Sequence, residues 1–396
     1  MPAHLGAQRP LGLGYWPLPQ DDPGVECRRE SVRIVTSDRA LVRGVLWLPP
    51  IGEPVKKTAI ILSHPRGDFS VHYACPLLAA RGYAVFGFAT RYLNNDTDCV
   101  HELAVLDVVA AADEMRRRGY EHVVLFGNSG GGSLMALAES HHHCGDAWIG
   151  VAAHPGEGMF MGKVIDPSVV DENDPLSVDP ELDMYNPDNG WRPWPSPCTY
   201  DRDWLARYRV AQIDRIARID EVARASISAA GEALAQMKQV DPTDMYAYRR
   251  LRAQAVSTRY LVTYRTLADP AYLDLSIDPD ERPIGSLFAF PDPFDANYGR
   301  GGLARTMTAR GWLSTWSALS SKARLADTMP DVKKPTLILH PTADTEIRVK
   351  EALEIRDAAG ATDVTYVEMK GALHYLEGDR PAAMEIVADW IQKRFD

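Results

Sequence analysis

The chain has 396 residues, 45% hydrophobic and 24% charged, a globular balance far from the composition of disordered chains. Its formal net charge of -11 argues against a broad nucleic-acid interface, which needs clustered Lys and Arg. No run of about 18 apolar residues offers a membrane span, so neither a nucleic acid nor a bilayer is expected as a partner.

The five cysteines (Cys27, Cys75, Cys99, Cys144 and Cys198) are odd in number, widely spaced and form no CxxC. They suggest neither a disulfide framework nor a zinc site, and they fit a reducing compartment. The N-terminus has no basic start followed by an apolar run, so it reads poorly as a signal peptide, and the expected location is cytoplasmic.

Residues 1–30, rich in Pro, Gly and Asp, read as an irregular N-terminal arm. Two strand-like runs follow, Ser31–Thr36 and Ala40–Leu48, joined by the turn residues Ser37-Asp38. From Thr58 the pattern changes. Thr58–Ser63, Tyr83–Phe88, His122–Phe126 and Trp148–Ala153 are short apolar runs suited to strands buried on both faces. Between them lie helical stretches over Tyr73–Arg81, Val100–Arg118 and about Ser133–Ser140; Gly82 and Gly119 stop the first two. Alternation of this kind implies βαβ units and a mostly parallel sheet.

At Pro155 the rhythm breaks. Residues 155–200 hold many Pro, Asp and Asn; 201–238 and 243–266 read as long amphipathic helices; 267–304 return to loop chemistry; a further helix is expected over Leu303–Asp327. The strand–helix rhythm resumes with Thr336–His340, Val349–Ala359, Val364–Met369 and a closing helix over Pro381–Phe395. The α/β portion, residues 31–154 and 331–396, is thus split by a largely helical insert over 155–330. Structured segments this long usually carry function.

Gly127-Asn128-Ser129-Gly130-Gly131 matches G-x-S-x-G. The motif alone is weak. Its setting, directly after a buried strand and opening a helix, is the strand–turn–helix context that a nucleophile elbow requires. A serine hydroxyl is a poor nucleophile at neutral pH and needs an adjacent base. His374 lies just past the strand Val364–Met369, at the same sheet edge as Ser129, and is the candidate base. Asp344 lies just past Thr336–His340 and is the candidate partner that fixes the imidazole tautomer; Glu346 is its rival. For the oxyanion, the Gly130 N–H is one expected donor. The loop Ser63-His64-Pro65-Arg66-Gly67 should supply the other, with the Arg66 N–H first choice and Gly67 second, since Pro65 has no N–H. His141, His142 and His143 read as solvated. His154 and Asn128 are candidate pocket residues, although a buried, satisfied ring is the simpler reading of His154.

With these four strand-end segments in hand, the chain resembles the serine α/β-hydrolase superfamily over residues 31–154 and 331–396. That resemblance implies an α/β-hydrolase fold, with a doubly wound sheet antiparallel only near its start and the site at the strands' carboxyl ends. It also implies no cofactor or metal, and a helical cap formed by an insert after the sixth strand. The loop reads HPRG where the superfamily more often has HG-x or HGGG. Serine at position 129, where epoxide- and halide-displacing members carry Asp, points to acyl transfer to water.

The insert is rich in aromatic residues, among them Trp191, Trp204, Tyr208, Phe288, Phe290, Trp312 and Trp316. Trp312 and Trp316, on the stretch leading back to the sheet, are candidates to line the pocket. An aromatic wall favours an apolar or aromatic small-molecule substrate. The arginines of 201–265 read mainly as a solvated helix face. The expected activity is hydrolysis of a carboxylic-ester-type bond. A thioesterase, an amidase or a C–C bond hydrolase uses the same triad, and a non-catalytic ligand-binding homologue is the alternative of another class. A homodimer through the insert is compatible with any of these.

Overall fold

The computed structural model describes residues 14–241, 243–286, 292–299 and 302–396. Phe288 and Phe290, and the first part of the N-terminal arm, lie outside them.

Among the described residues, eight strands form one sheet. They are β1 (Arg28–Val35), β2 (Leu41–Leu48), β3 (Thr58–Leu62), β4 (Ala84–Ala89), β5 (His122–Asn128), β6 (Ala147–Val151), β9 (Thr336–Pro341) and β10 (Val364–Met369). A two-stranded pair, β7 (Tyr260–Val262) and β8 (Thr306–Thr308), stands apart from them. The sheet order is β1-β2-β4-β3-β5-β6-β9-β10. Only the β1–β2 and β2–β4 pairings are antiparallel; the rest are parallel. Every residue of β3, β4, β6 and β9 is buried, which explains their unbroken apolar runs: helices cover both faces and leave no side for polar residues.

The helices in chain order are α1 (Ala74–Ala79), α2 (His101–Arg117), α3 (Gly130–His142), α4 (Glu157–Val164), α5 (Arg202–Met237), α6 (Met245–Val256), α7 (Pro293–Tyr298), α8 (Val349–Ala358) and α9 (Arg380–Phe395), with single turns between some of them. One core cluster joins the sheet to α2, α3 and α8 through Val105, Leu134 and Ile355. The other joins it to α1 and α9 through Leu77, Val387 and Ile391. The chain has the α/β-hydrolase fold.

The insert leaves after β6, the sixth strand, and returns at β9. Here the structure departs from the sequence reading. The helix expected over Leu303–Asp327 is absent. In its place β8 pairs with β7, and a turn of wide helix follows over Trp312–Trp316. Ser and Thr side chains compete with helical bonding in this stretch. Thr308 Oγ1 accepts the Gly311 N–H at 3.1 Å, Ser314 Oγ accepts the His101 N–H at 2.9 Å, and Thr315 Oγ1 donates to the Cys99 carbonyl at 2.8 Å. The segment 243–266 likewise breaks after Val256 to form β7. Helix α4 lies in a region, 155–200, for which the sequence predicts no helix.

The insert's arginines divide as their surroundings dictate. Arg202, Arg207, Arg218 and Arg224 are exposed, as expected, whereas Arg215 and Arg265 are buried against carboxylates. All five cysteines are buried and free. No described helix is long and apolar enough to cross a membrane.

Candidate active site

The site is assembled at the carboxyl ends of β5, β9 and β10 and at the loop after β3. At the end of β5 the chain turns sharply into α3, and Ser129 sits at the apex with φ 56° and ψ −129°. For a residue with a Cβ this is a strained conformation, costing on the order of 1–3 kcal/mol. The surroundings hold it: the Ser129 N–H donates to the Val151 carbonyl at 3.1 Å, and the Ser129 carbonyl accepts the His154 N–H at 3.1 Å. Glycine is needed on both sides. A Cβ on Gly127 would stand 2.4 Å from the Gly131 carbonyl, and one on Gly131 would stand 2.4 Å from the Ser63 carbonyl oxygen.

Three side chains from distant segments form one hydrogen-bonded line. His374 Nε2 lies 3.0 Å from Ser129 Oγ, and His374 Nδ1 lies 2.7 Å from Asp344 Oδ2. Asp344 Oδ1 also accepts the N–H groups of Glu346 at 2.8 Å and Ile347 at 3.2 Å. An ionised carboxylate only accepts, so Nδ1 carries the proton and Nε2 is left to take the serine's. Burial opposes charge on both groups. The pairing outweighs it, holding the Asp344 carboxyl below its ordinary range and His374 above the ordinary imidazole value. Glu346, the rival of Asp344, instead accepts the Tyr272 hydroxyl at 2.8 Å and borders the cavity.

A cavity of about 220 Å³ opens over Ser129. His154 lines it, edge-on to His374 at 5.8 Å between ring centres, and burial keeps its imidazole neutral. Three other expectations are corrected. Asn128 faces the interior, where its amide donates to the Val151 carbonyl at 2.8 Å and so ties β5 to β6. Trp312 is fully buried in the insert, donating to Asp220 at 2.7 Å. Trp316 is equally buried, its ring 4.6 Å beneath the Arg66 guanidinium. Both rings are spent in packing, Trp312 within the insert and Trp316 against the loop that carries Arg66, rather than in facing the cavity.

The oxyanion expectations divide in the same way. Gly130 is the first residue of α3, where its N–H has no intrahelical acceptor, as a candidate oxyanion donor requires. The N–H groups of Arg66 and Gly67 are not free, because both donate to His64 Nδ1, at 3.2 and 3.1 Å. Neither can serve as an oxyanion donor in this arrangement. The cause is local: β3 has ended at Leu62, Pro65 has no N–H to offer, and the next two amides turn back onto the His64 ring.

Several cavity residues escaped the sequence reading. Glu157, at the start of α4, is buried and pairs with Arg66 Nη2 at 3.4 Å. Tyr15 belongs to the arm. Its ring packs 5.1 Å from Phe69, and its carbonyl accepts the Tyr73 N–H at 2.9 Å. A buried ion pair between Arg380 and Asp21, at 2.6 Å, pins this arm to the core. Nothing in the sequence marks Tyr15. His64 has a usable signal: it stands two residues past the end of β3, at the same edge as Ser129.

No family model matches the chain, and no curated protein matches it. Solved structures do. One is DcsB, solved in complex with its substrate analogue: 10% identity over 92% of this chain and 99% of that one, TM-score 0.52. Another is the α/β hydrolase GrgF from Penicillium sp. sh18: 13% identity over 93% and 99% of the two chains, TM-score 0.52. At these identities the likeness is one of fold.

Proposed function

We propose that the chain is a serine hydrolase that cleaves an ester-type acyl bond through an acyl-enzyme on Ser129. The line from Ser129 Oγ through His374 to Asp344, with contacts of 3.0 and 2.7 Å, is the observation that carries this reading. Ser129 Oγ attacks the acyl carbonyl while His374 Nε2 takes its proton. Asp344 stabilises the imidazolium that forms, and the Gly130 N–H faces the developing oxyanion. The imidazolium then protonates the leaving group. Water, activated by the same imidazole, releases the acid in the reverse sequence.

The backbone strain at Ser129 supports a catalytic over a purely ligand-binding role, since strain of this kind persists where it positions a reacting group. The substrate we infer is a small ester with an apolar or aromatic acyl part. Tyr15, Phe69, Phe160 and Tyr375 offer it apolar wall, and the cavity of about 220 Å³ limits its size. The test is active-site labelling. A fluorophosphonate should modify the wild type and leave Ser129→Ala untouched. A folded wild type that resists the probe and cleaves no p-nitrophenyl ester would refute the proposal.

A further inference from the structure

A tetrahedral oxyanion is best held by two donors, and the backbone amides expected to give the second one are occupied. The group that occupies them is itself suited to the task. His64 Nδ1 accepts two N–H bonds, from Arg66 at 3.2 Å and Gly67 at 3.1 Å. A ring nitrogen that accepts carries no proton, so the neutral imidazole has its hydrogen on Nε2. Adding a second proton would put an N–H on Nδ1 against two facing N–H groups. Burial, then the charge of Arg66 and the neighbouring His101, His72 and His374, hold the His64 pKa well below its ordinary value. The ring is therefore a neutral donor locked in one tautomer.

The position of that donor follows from Gly130. A methyl group there would stand 2.9 Å from His64 Nε2 and 2.5 Å from Glu157 Oε1, so the imidazole edge lies, beside that carboxylate, against the residue that follows Ser129. His64 and Ser129 border the same cavity. The nearest carboxylate oxygen, Glu157 Oε1, is 3.8 Å from Nε2, beyond hydrogen-bond range, and it lies 3.4 Å from Arg66 Nη2, which offsets its charge. The loop carrying the ring is held as well, since the Thr90 hydroxyl donates to the Pro65 carbonyl at 2.7 Å.

We propose that the Nε2–H of His64, in place of the Arg66 or Gly67 amide, is the second donor to the oxyanion in this site. The assignment rests on the serine-hydrolase reading. In the step concerned, the Ser129 Oγ–carbon bond forms, the carbonyl π pair moves onto oxygen, and the serine proton passes to His374 Nε2. The oxygen then accepts hydrogen bonds from the Gly130 N–H and from His64 Nε2–H. On collapse the carbonyl re-forms and the leaving group departs with the proton from His374. His64 keeps its own proton throughout. A preorganised neutral imidazole suits this role because a hydrogen bond to a developing anion strengthens as charge builds, with no proton transfer needed.

The test is steady-state hydrolysis of p-nitrophenyl acetate by the full chain. His64→Ala should lower kcat by about 10²–10³, the usual effect of removing one oxyanion donor, with KM changed less than threefold. His64→Gln should recover at least tenfold of that loss, because a side-chain amide offers an oxygen to the two backbone N–H groups and an N–H to the cavity. A merely structural role for His64 predicts neither the split between kcat and KM nor this rescue. Independently of activity, ¹⁵N NMR of the wild-type ring at neutral pH should show Nδ1 bare and Nε2 protonated. The assignment is overturned if His64→Ala keeps kcat within threefold of wild type, or if the proton is found on Nδ1. A wild type that takes no fluorophosphonate and cleaves no ester overturns the hydrolase reading instead, whatever the NMR shows.

Discussion

The sheet core and the insert bury different things. In the core, strands such as β3 and β6 are apolar from end to end, and the polar groups of the site stand on loops just past the strand ends. In the insert, the interior is threaded by charge. Asp166 pairs with Arg265 at 3.5 Å, both essentially inaccessible. Asp269 is gripped by Arg209 at 2.6 Å and Arg348 at 3.3 Å. Asp220 accepts Trp312 Nε1 at 2.7 Å and the hydroxyls of Ser317 and Ser320 at 2.8 and 2.6 Å. A sheet with covered faces satisfies its backbone through its own ladder and asks only for apolar side chains. The insert has few long-range ladders, so it closes its loops with side-chain carboxylates and guanidinium groups. The lesson is one of dependence: the core tolerates exchange of one apolar residue for another, whereas each buried pair of the insert fails when one partner is lost.

That contrast is open to experiment. The largest effect should come from the core: Ser129→Ala lowers kcat by on the order of 10⁴ or more, with an unchanged unfolding midpoint, measured on p-nitrophenyl acetate and by thermal melting. A variant retaining a tenth of wild-type activity would remove the chemistry from the strand ends. Next is the insert. Asp269→Ala leaves Arg209 and Arg348 both unpaired and should cost about 3–5 kcal/mol in urea unfolding. A loss below about 1 kcal/mol would mean that the buried charge does not hold the insert. Third, kcat/KM should fall towards acid as His374 takes up a proton, roughly tenfold for each pH unit below its pKa. That pKa is raised above the ordinary imidazole value by Asp344, so the midpoint should lie above about 6.5. The same profile with Asp344→Asn should shift to lower pH, and a limb that does not move would detach Asp344 from the base. Smallest of all, Arg224→Ala on the exposed face of α5 should change stability by no more than about 0.5 kcal/mol. A larger loss would show that even the insert's outer face depends on charge.

The relation between arm and site sharpens the same point. Tyr15 lies at the cavity because Arg380, at the start of α9, bonds Asp21 at 2.6 Å and the Trp16 carbonyl at 2.8 Å. An ion pair across 359 positions of sequence leaves no local pattern. The loop after β3 carries a similar lesson at short range. The sequence argued correctly that Pro65 cannot donate, but counting free N–H groups along a chain does not reveal that a side chain three residues away from an amide has taken it.

By itself the sequence determined the strands of the sheet, their parallel order of βαβ units, the elbow at Ser129, and the strand-end positions of Asp344 and His374. Each rests on a local rule: apolar runs where both faces are covered, glycine where a turn leaves no room for a Cβ, and a functional loop where a strand ends. Only the tertiary structure decided which residues border the cavity. It turned Trp312, Trp316 and Asn128 inward, brought Tyr15 and Glu157 to the site, and directed the Arg66 and Gly67 amides onto His64. Those outcomes depend on partners far apart in the chain or on the direction of a single bond, and neither is encoded in the spacing of residue types.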